Sequence, residues 1–206
     1  MTAAPLRPGP AAPDAAARIR DRILDAATAC MLEEGLTGRV HAQIAERAGV
    51  SRPTVYKYVG DQDAIVAAIF DREFDKFVDA VLPVLRTSDD LRAHLVDGVV
   101  FIVDYARGHE LLQKALADHP ELVLPALTTG AGPLIERATG IFEAQLARAL
   151  DLAGATGISA REAVEWLFRI IVALIIAPGT AGGSSEDTRR SVRALAQLVA
   201  LSGERV

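Results

Sequence analysis

The chain has 206 residues, half of them apolar, and a formal net charge of −5 at neutral pH. That length fits one compact unit or two small lobes, and the apolar fraction is too high for a disordered chain. The longest apolar run, Ile170 to Ala177, falls well short of the ~18–20 residues that span a bilayer, and Cys30, as the single cysteine, excludes an internal disulfide.

The N-terminus carries Arg7 and several prolines but no continuous apolar stretch. It therefore does not read as a secretory signal, and a reducing cytoplasm is the expected setting. The charge is unevenly divided. Residues 1–60 hold eight Arg or Lys against six Asp or Glu, whereas residues 61–206 hold fourteen against twenty-one. The basic excess sits at the N-terminal end, where a modest positive charge suits contact with a few phosphates.

Residues 1–14, rich in Pro, Ala and Gly, read as a disordered arm. A first helix is expected from about Ala15 to Glu33, with Ile19, Ile23, Ala26, Ala27 and Cys30 forming its apolar stripe before Glu34-Gly35 ends it. A second covers about His41 to Ala48. The turn Ala48-Gly49-Val50-Ser51 follows. Gly49 can adopt the left-handed conformation that ends a helix sharply. Ser51 can cap the next helix with its hydroxyl, and Pro53 falls in the first turn, where a missing N–H costs little. The third helix then runs from about Arg52 to Tyr58 and carries Arg52, Thr54, Tyr56 and Lys57. A fourth, capped by Asp61, continues through Ile65, Ile69, Phe70, Phe74, Phe77, Val78 and Val81 toward Pro83 as a long connector.

A second lobe is expected to start at the cap cluster Ser88-Asp89-Asp90. Its helices cover about Leu91 to Tyr105, Glu110 to Ala117, Pro133 to Leu152, the segment after Ser159 up to Pro178-Gly179, and Glu186 to Leu201. Glu121 to Leu127 reads as a short turn. Ser159 and Glu162 stand at the spacing of a capping box. The fold expectation is all-α with about nine helices. The expected divisions are an arm at 1–14, a three-helix domain at 15–60, a connecting helix at 61–86 and a helical lobe at 87–206.

Two short helices joined by a glycine turn form the DNA-binding helix-turn-helix, whose second helix enters the major groove. Residues 18–65 resemble the DNA-binding domain of the TetR family of bacterial one-component transcriptional regulators. The residues that carry the resemblance are Ile23, Ala26, Ala27, Glu34-Gly35, Ile44-Ala45, Ala48-Gly49-Val50-Ser51, Thr54, Val55, Tyr56 and Tyr58. The stretches HPELVLPALTTGAGPL (119–134) and SAREAVEWLFRIIVALIIAPG (159–179) resemble the C-terminal domain of one subgroup. Three positions depart from the family pattern: Val59 where Phe is usual, Gln62 where a Lys commonly reaches a phosphate, and Val40 where Ser or Thr often caps the second helix.

The expected DNA-contacting set is Arg39, His41, Ser51, Arg52, Thr54, Tyr56, Lys57, Tyr58 and Gln62. An arginine can pair with both guanine acceptors, and a threonine methyl can meet a thymine methyl. Tyr56, Lys57 and Tyr58 suit phosphates, which position without reading sequence, and packing is the lesser alternative for the two tyrosines, more so for Tyr58 than for Tyr56. Arg39 and His41 flank the start of the second helix, where phosphate is favoured, and a solvated Arg39 is an equal alternative.

The resemblance implies a small-molecule effector held in the C-terminal lobe. Phe101, Tyr105, His109, Phe142 and Trp166 are candidates for lining its site, and each could instead be ordinary core. Trp166, Leu167, Ile170, Ile171, Leu174 and Ile175 spread over more than one face of their helix, so that helix needs cover on two sides. With Leu195, Leu198 and Val199 they form the candidate interface of a homodimer.

No catalytic residue, metal site or cofactor is expected. His109-Glu110-Leu111-Leu112-Gln113 lacks the second His of a zinc-protease motif, and Gly130-Ala131-Gly132 follows no strand. The reading is therefore of a non-enzymatic, homodimeric repressor that binds a palindromic operator in double-stranded DNA, does not bind membranes, and is released by an unidentified effector. The alternatives are an activator or effector-blind regulator of the same fold, or an all-helical enzyme or small-molecule-binding protein whose helix-turn-helix is incidental.

Overall fold

The computed structural model describes residues 12–35, 40–85, 91–152, 154–155, 157–177 and 183–203. Most of the arm at 1–14, Arg39, the Ser88-Asp89-Asp90 cluster and Pro178-Gly179 lie outside them, as do the side chains of Leu198 and Val199. Helices, joined by turns and short irregular segments, are the regular structure of the described residues, with no strand among them. They form α1 (Ala12–Glu34), α2 (His41–Arg47), α3 (Arg52–Tyr58), α4 (Gln62–Val84), α5 (Leu91–Gly108), α6 (Glu110–Asp118), α7 (Pro120–Leu127), α8 (Gly132–Leu152), α9 (Ala160–Ile176) and α10 (Ser185–Gly203). No described helix is long and apolar enough to cross a membrane.

Among the described residues there are ten helices where the sequence suggests about nine. The addition is α7, read from sequence as a turn because prolines stand at both its ends. Pro120 occupies the first helical position, where its absent N–H breaks no bond, and Pro125 falls close enough to the end that the helix closes two residues later. Val123, buried on the inner face, anchors it. α1 also starts earlier than expected, at Ala12, so residues 12–14 belong to a helix rather than to the arm.

The chain divides into two compact units, Met1–Asp75 and Lys76–Val206, so the division falls inside α4 rather than at either end of the connector expected at 61–86. In the first unit, α1, α2 and α3 pack on one another. Ile23, Leu24, Ala27, Val40, Ile44, Val55 and Ile65 are completely buried. The α1 residues repeat every three or four positions, which places one stripe on the core and leaves Asp21, Arg22 and Asp25 in solvent. Asp61 caps α4 by accepting the Ala64 backbone N–H at 2.9 Å.

In the second unit α5 is central and packs against α6, α8, α9 and α10. Val96, Val99, Val100 and Val103 of α5 meet Val192 of α10, and Leu167, Ile171, Leu174 and Ile175 of α9 close over them. A second cluster joins Ala138 and Leu146 of α8 to Ala163 and Val164 of α9, with Phe142 against it. α9 begins with the expected capping box, in which Ser159 and Glu162 satisfy each other's backbone N–H groups. α10 begins with an equivalent pair: Ser184 Oγ accepts the Asp187 N–H at 3.2 Å, and Asp187 Oδ2 accepts the Ser184 N–H at 3.3 Å.

Arg107, at the end of α5, fastens this arrangement. Its guanidinium donates to the Gly183 carbonyl at 2.5 Å, to the hydroxyl of Thr188 at 2.9 Å and to the Leu174 carbonyl at 2.9 Å. Thr188 is almost completely buried, and Leu174 lies in the last turns of α9, where carbonyls lack partners within the helix. One planar group thus ties the end of α5 to the end of α9 and the start of α10.

Candidate nucleic-acid interface

The turn between α2 and α3 is fixed by backbone chemistry. The Gly49 N–H donates to the Glu46 carbonyl at 3.1 Å and the Val50 N–H to the Ala45 carbonyl at 2.9 Å, the paired bonds of a Schellman ending. Gly49 has φ +64°, and no atom lies within 4 Å of where a Cβ would stand, so glycine is required by conformation rather than by space. Ser51 follows in extended conformation. Its Oγ accepts the Thr54 N–H at 3.3 Å and lies 2.8 Å from the Thr54 hydroxyl.

α2 is in turn locked to α1. Arg47 donates to both carboxylate oxygens of Glu33, at 2.9 and 2.6 Å, and approaches the Cys30 sulfur at 3.9 Å. These bonds hold the Glu33 carboxyl below the usual carboxylate range. Arg72 of α4 bonds Asp25 at 2.7 Å and the Thr28 hydroxyl at 2.9 Å. Both arginines are thus committed to intramolecular partners.

Arg52 and Lys57 differ. Both are exposed, and among the described residues neither forms an ion pair. The Lys57 ammonium lies 5.4 Å from the centroid of the Tyr58 ring. Tyr56 is 53% exposed, and its ring stacks on His41 with centroids 4.5 Å apart and planes 9° from parallel. Thr54 is half-buried with its hydroxyl engaged by Ser51, which leaves its methyl as the group it can offer. Val55, between these residues, is completely buried and points α3 the opposite way. The short helix therefore has one apolar anchor inside and Arg52, Tyr56 and Lys57 outside.

The remaining candidates fall around this face unequally. Tyr58, Gln62 and His41 are half-buried, and Ser51 is exposed. Val40 sits at the N-cap of α2 without a side-chain cap and is completely buried. The capping oxygen usual at that position is replaced by core packing. Val59 is half-buried beside Gly60, whose φ is +107°.

In the second unit, three of the five candidate effector residues come together. Tyr105 has Phe101 at 6.3 Å, His109 at 5.8 Å and Phe77 at 5.5 Å between ring centroids. His109 also caps α6, its Nδ1 accepting the Leu112 N–H at 3.2 Å. Phe142 belongs instead to the α8–α9 core, and Trp166 is 59% exposed with the Arg169 guanidinium 5.6 Å from its ring. Of the candidate interface residues, Leu167, Ile171, Leu174 and Ile175 pack on their own valine cluster and Ile170 is half-buried, whereas Trp166 and Leu195 are exposed.

A family model of bacterial regulatory proteins, tetR family, matches residues 23–69, the segment that contains this face. An HTH-type transcriptional regulator of Mycobacterium bovis is 36% identical over 111 residues, covering 54% of this chain and 56% of that protein. The chain thus matches about half the length of such curated relatives. The HTH-type transcriptional activator FasR of Mycolicibacterium smegmatis is 29% identical over 159 residues, 72% of each chain. Among solved structures, the TetR family repressor AlkX from Dietzia superposes with a TM-score of 0.61 at 23% identity, covering 91% of this chain and 96% of that one. At that identity the likeness is one of fold.

Proposed function

We propose that this chain, which belongs to the TetR family of helix-turn-helix transcriptional regulators, is a homodimeric repressor that binds a palindromic operator and releases it on binding a small molecule. The family consists of regulators rather than enzymes. The observation that carries the DNA-binding part is the outward face of α3: Arg52, Tyr56 and Lys57 stand exposed on a helix whose entry is set by Gly49 and Ser51. An arginine with no ion pair among the described residues can engage guanine, and lysine and tyrosine can neutralise or hydrogen-bond phosphates.

A homodimer would fit a palindromic operator, because two such helices match half-sites one helical turn, roughly 34 Å, apart. The aromatic group Phe77, Phe101, Tyr105 and His109 supports an apolar effector with a polar handle. Homologues include ligand-responsive repressors and also an activator. The match to FasR, which spans 72% of each chain, favours activation as the second reading.

The test is selection of bound fragments from genomic DNA by the purified full chain, followed by fluorescence anisotropy on the enriched sequence. A palindromic consensus bound at about 10⁻⁸–10⁻¹¹ M, with affinity falling steeply as salt rises, is expected. Failure to enrich any sequence would refute the reading. A reporter under the selected operator then separates repression from activation.

A further inference from the structure

We infer that His41 is a positioning residue for DNA recognition: its imidazole is the platform that fixes the Tyr56 ring. The inference rests on the DNA-binding reading above and assigns a role within it.

His41 is the first residue of α2, and Tyr56 is on α3, so the parallel stack at 4.5 Å bridges the two helices of the motif. The His41 Nε2 atom is covered, with no hydrogen bond to any described residue. A phosphate contact needs an accessible N–H about 2.7–2.9 Å from oxygen. In this ring orientation Nε2 offers none. A covered ring nitrogen without a partner is unfavourable for folding. What the residue supplies is its flat face.

Tyr56 needs that face. It is 53% exposed on a seven-residue helix whose side-chain cap, from Ser51 to Thr54, lies at the far end from it. An exposed tyrosine without a neighbour samples several rotamers and must be ordered when it binds. A preformed stack orders it in advance, so that loss of freedom is not charged to the complex. The recognition face is therefore built from α2 and α3 together, and its pre-organisation depends on the flat face of the His41 ring.

The experiment compares His41→Phe and His41→Ala in the full chain by two readouts. The first needs no DNA. The chain has only three tyrosines, so Tyr56 ring protons can be assigned by NMR with Tyr56→Phe. Their ring-current shifts should persist in His41→Phe and vanish in His41→Ala. The second is affinity for the selected operator across a salt series. His41→Phe should bind as wild type with an unchanged salt slope. His41→Ala should lose about three- to tenfold, the worth of one aromatic pair, and should lose nothing further in a Tyr56→Ala background. A His41→Phe protein that keeps its Tyr56 shifts yet binds weakly, with a salt slope lower by about one, would identify a phosphate contact and overturn the inference. Tyr56 shifts untouched by His41→Ala would overturn it as well. A wild-type chain that enriches no DNA defeats the DNA-binding reading and this role together, and the shifts still report whether the stack exists.

Discussion

Two arginines of the first unit make a matched pair for testing where recognition lies. Arg52 opens α3 exposed, with no ion pair among the described residues, whereas Arg47 ends α2 with both arms of its guanidinium on Glu33. Replacing Arg52 with Ala removes a group whose donors have no partner among the described residues. If it makes a bidentate contact to a guanine, the loss is about 1–3 kcal/mol, or roughly 5- to 150-fold in affinity, together with relaxed preference at one base position. Stability should shift by no more than about 0.5 kcal/mol, since no internal partner is orphaned. It should shift upward if at all, because a cation in the first turn of a helix opposes the helix dipole. Arg47→Ala has the opposite profile: the α1–α2 connection loosens, while base preference and salt slope stay as in wild type. The assay is anisotropy on the selected operator and on single-base variants, with thermal melting in parallel. Refutation would be an Arg52→Ala protein that binds every variant as wild type does, or an Arg47→Ala protein whose base preference changes as predicted for Arg52.

Further outcomes follow from the same geometry. Gly49→Ala should cost about 1–2 kcal/mol, the penalty of a left-handed L-residue, because nothing obstructs its Cβ, while Gly60→Ala should cost more, since its Cβ would stand 2.8 Å from that of Ala64; operator binding across a urea series gives the order, and equal midpoints would contradict it. Hydrogen bonds from Ser159 hold the Glu162 carboxyl below the usual range, and those from Ser184 do the same for Asp187. Each depressed pKa gives stability that is present at neutral pH and lost as pH falls through the lowered value, so the stability gap between wild type and a Ser159→Ala, Ser184→Ala double variant should be full at pH 7 and shrink in acid; a gap that grows in acid would reverse the sign. On α9, Trp166→Glu should yield a folded protein that sediments as a monomer, whereas Leu174→Glu, which places a charge against the valine cluster, should unfold the second unit; a dimeric Trp166→Glu protein would move the interface elsewhere.

What could be read from the sequence follows the range of the interactions. The turn before α3 was legible because a glycine, a serine and a proline at fixed offsets dictate it locally, as Ser159 and Glu162 dictate the start of α9. The same logic was available for α10, where Ser184 and Asp187 repeat the spacing, but the Gly/Ser loop reads as reaching Ser185, which puts the expected start one residue late. α7 was missed because a proline breaks a helix only where an N–H is needed, and Pro120 stands where none is. The long-range contacts carry no local signal. His41 and Tyr56 are fifteen positions apart on different helices, and Arg107 reaches Leu174, Gly183 and Thr188 across 67 to 81 residues. A lone arginine closing a helix reads as solvated from sequence, and only the fold presents it with a buried hydroxyl and two carbonyls.

The same limit explains why α9 was legible in part. Its apolar residues cover more than one face, which implies cover on two sides, but periodicity does not say which side each neighbour takes. Packing divides them. Leu167, Ile171, Leu174 and Ile175 are spaced by three or four, form one stripe and are used by α5 and α10 of the same chain. A stripe already covered contributes little to a partner, however apolar it is, because association is driven by the surface still in water. Trp166 is on the other face, more than half in solvent, with Leu195 of α10 also exposed. Tryptophan is among the residues most enriched at the energetic centre of interfaces. The case for a second subunit on α9 therefore rests on the few apolar groups that the chain's own core leaves open.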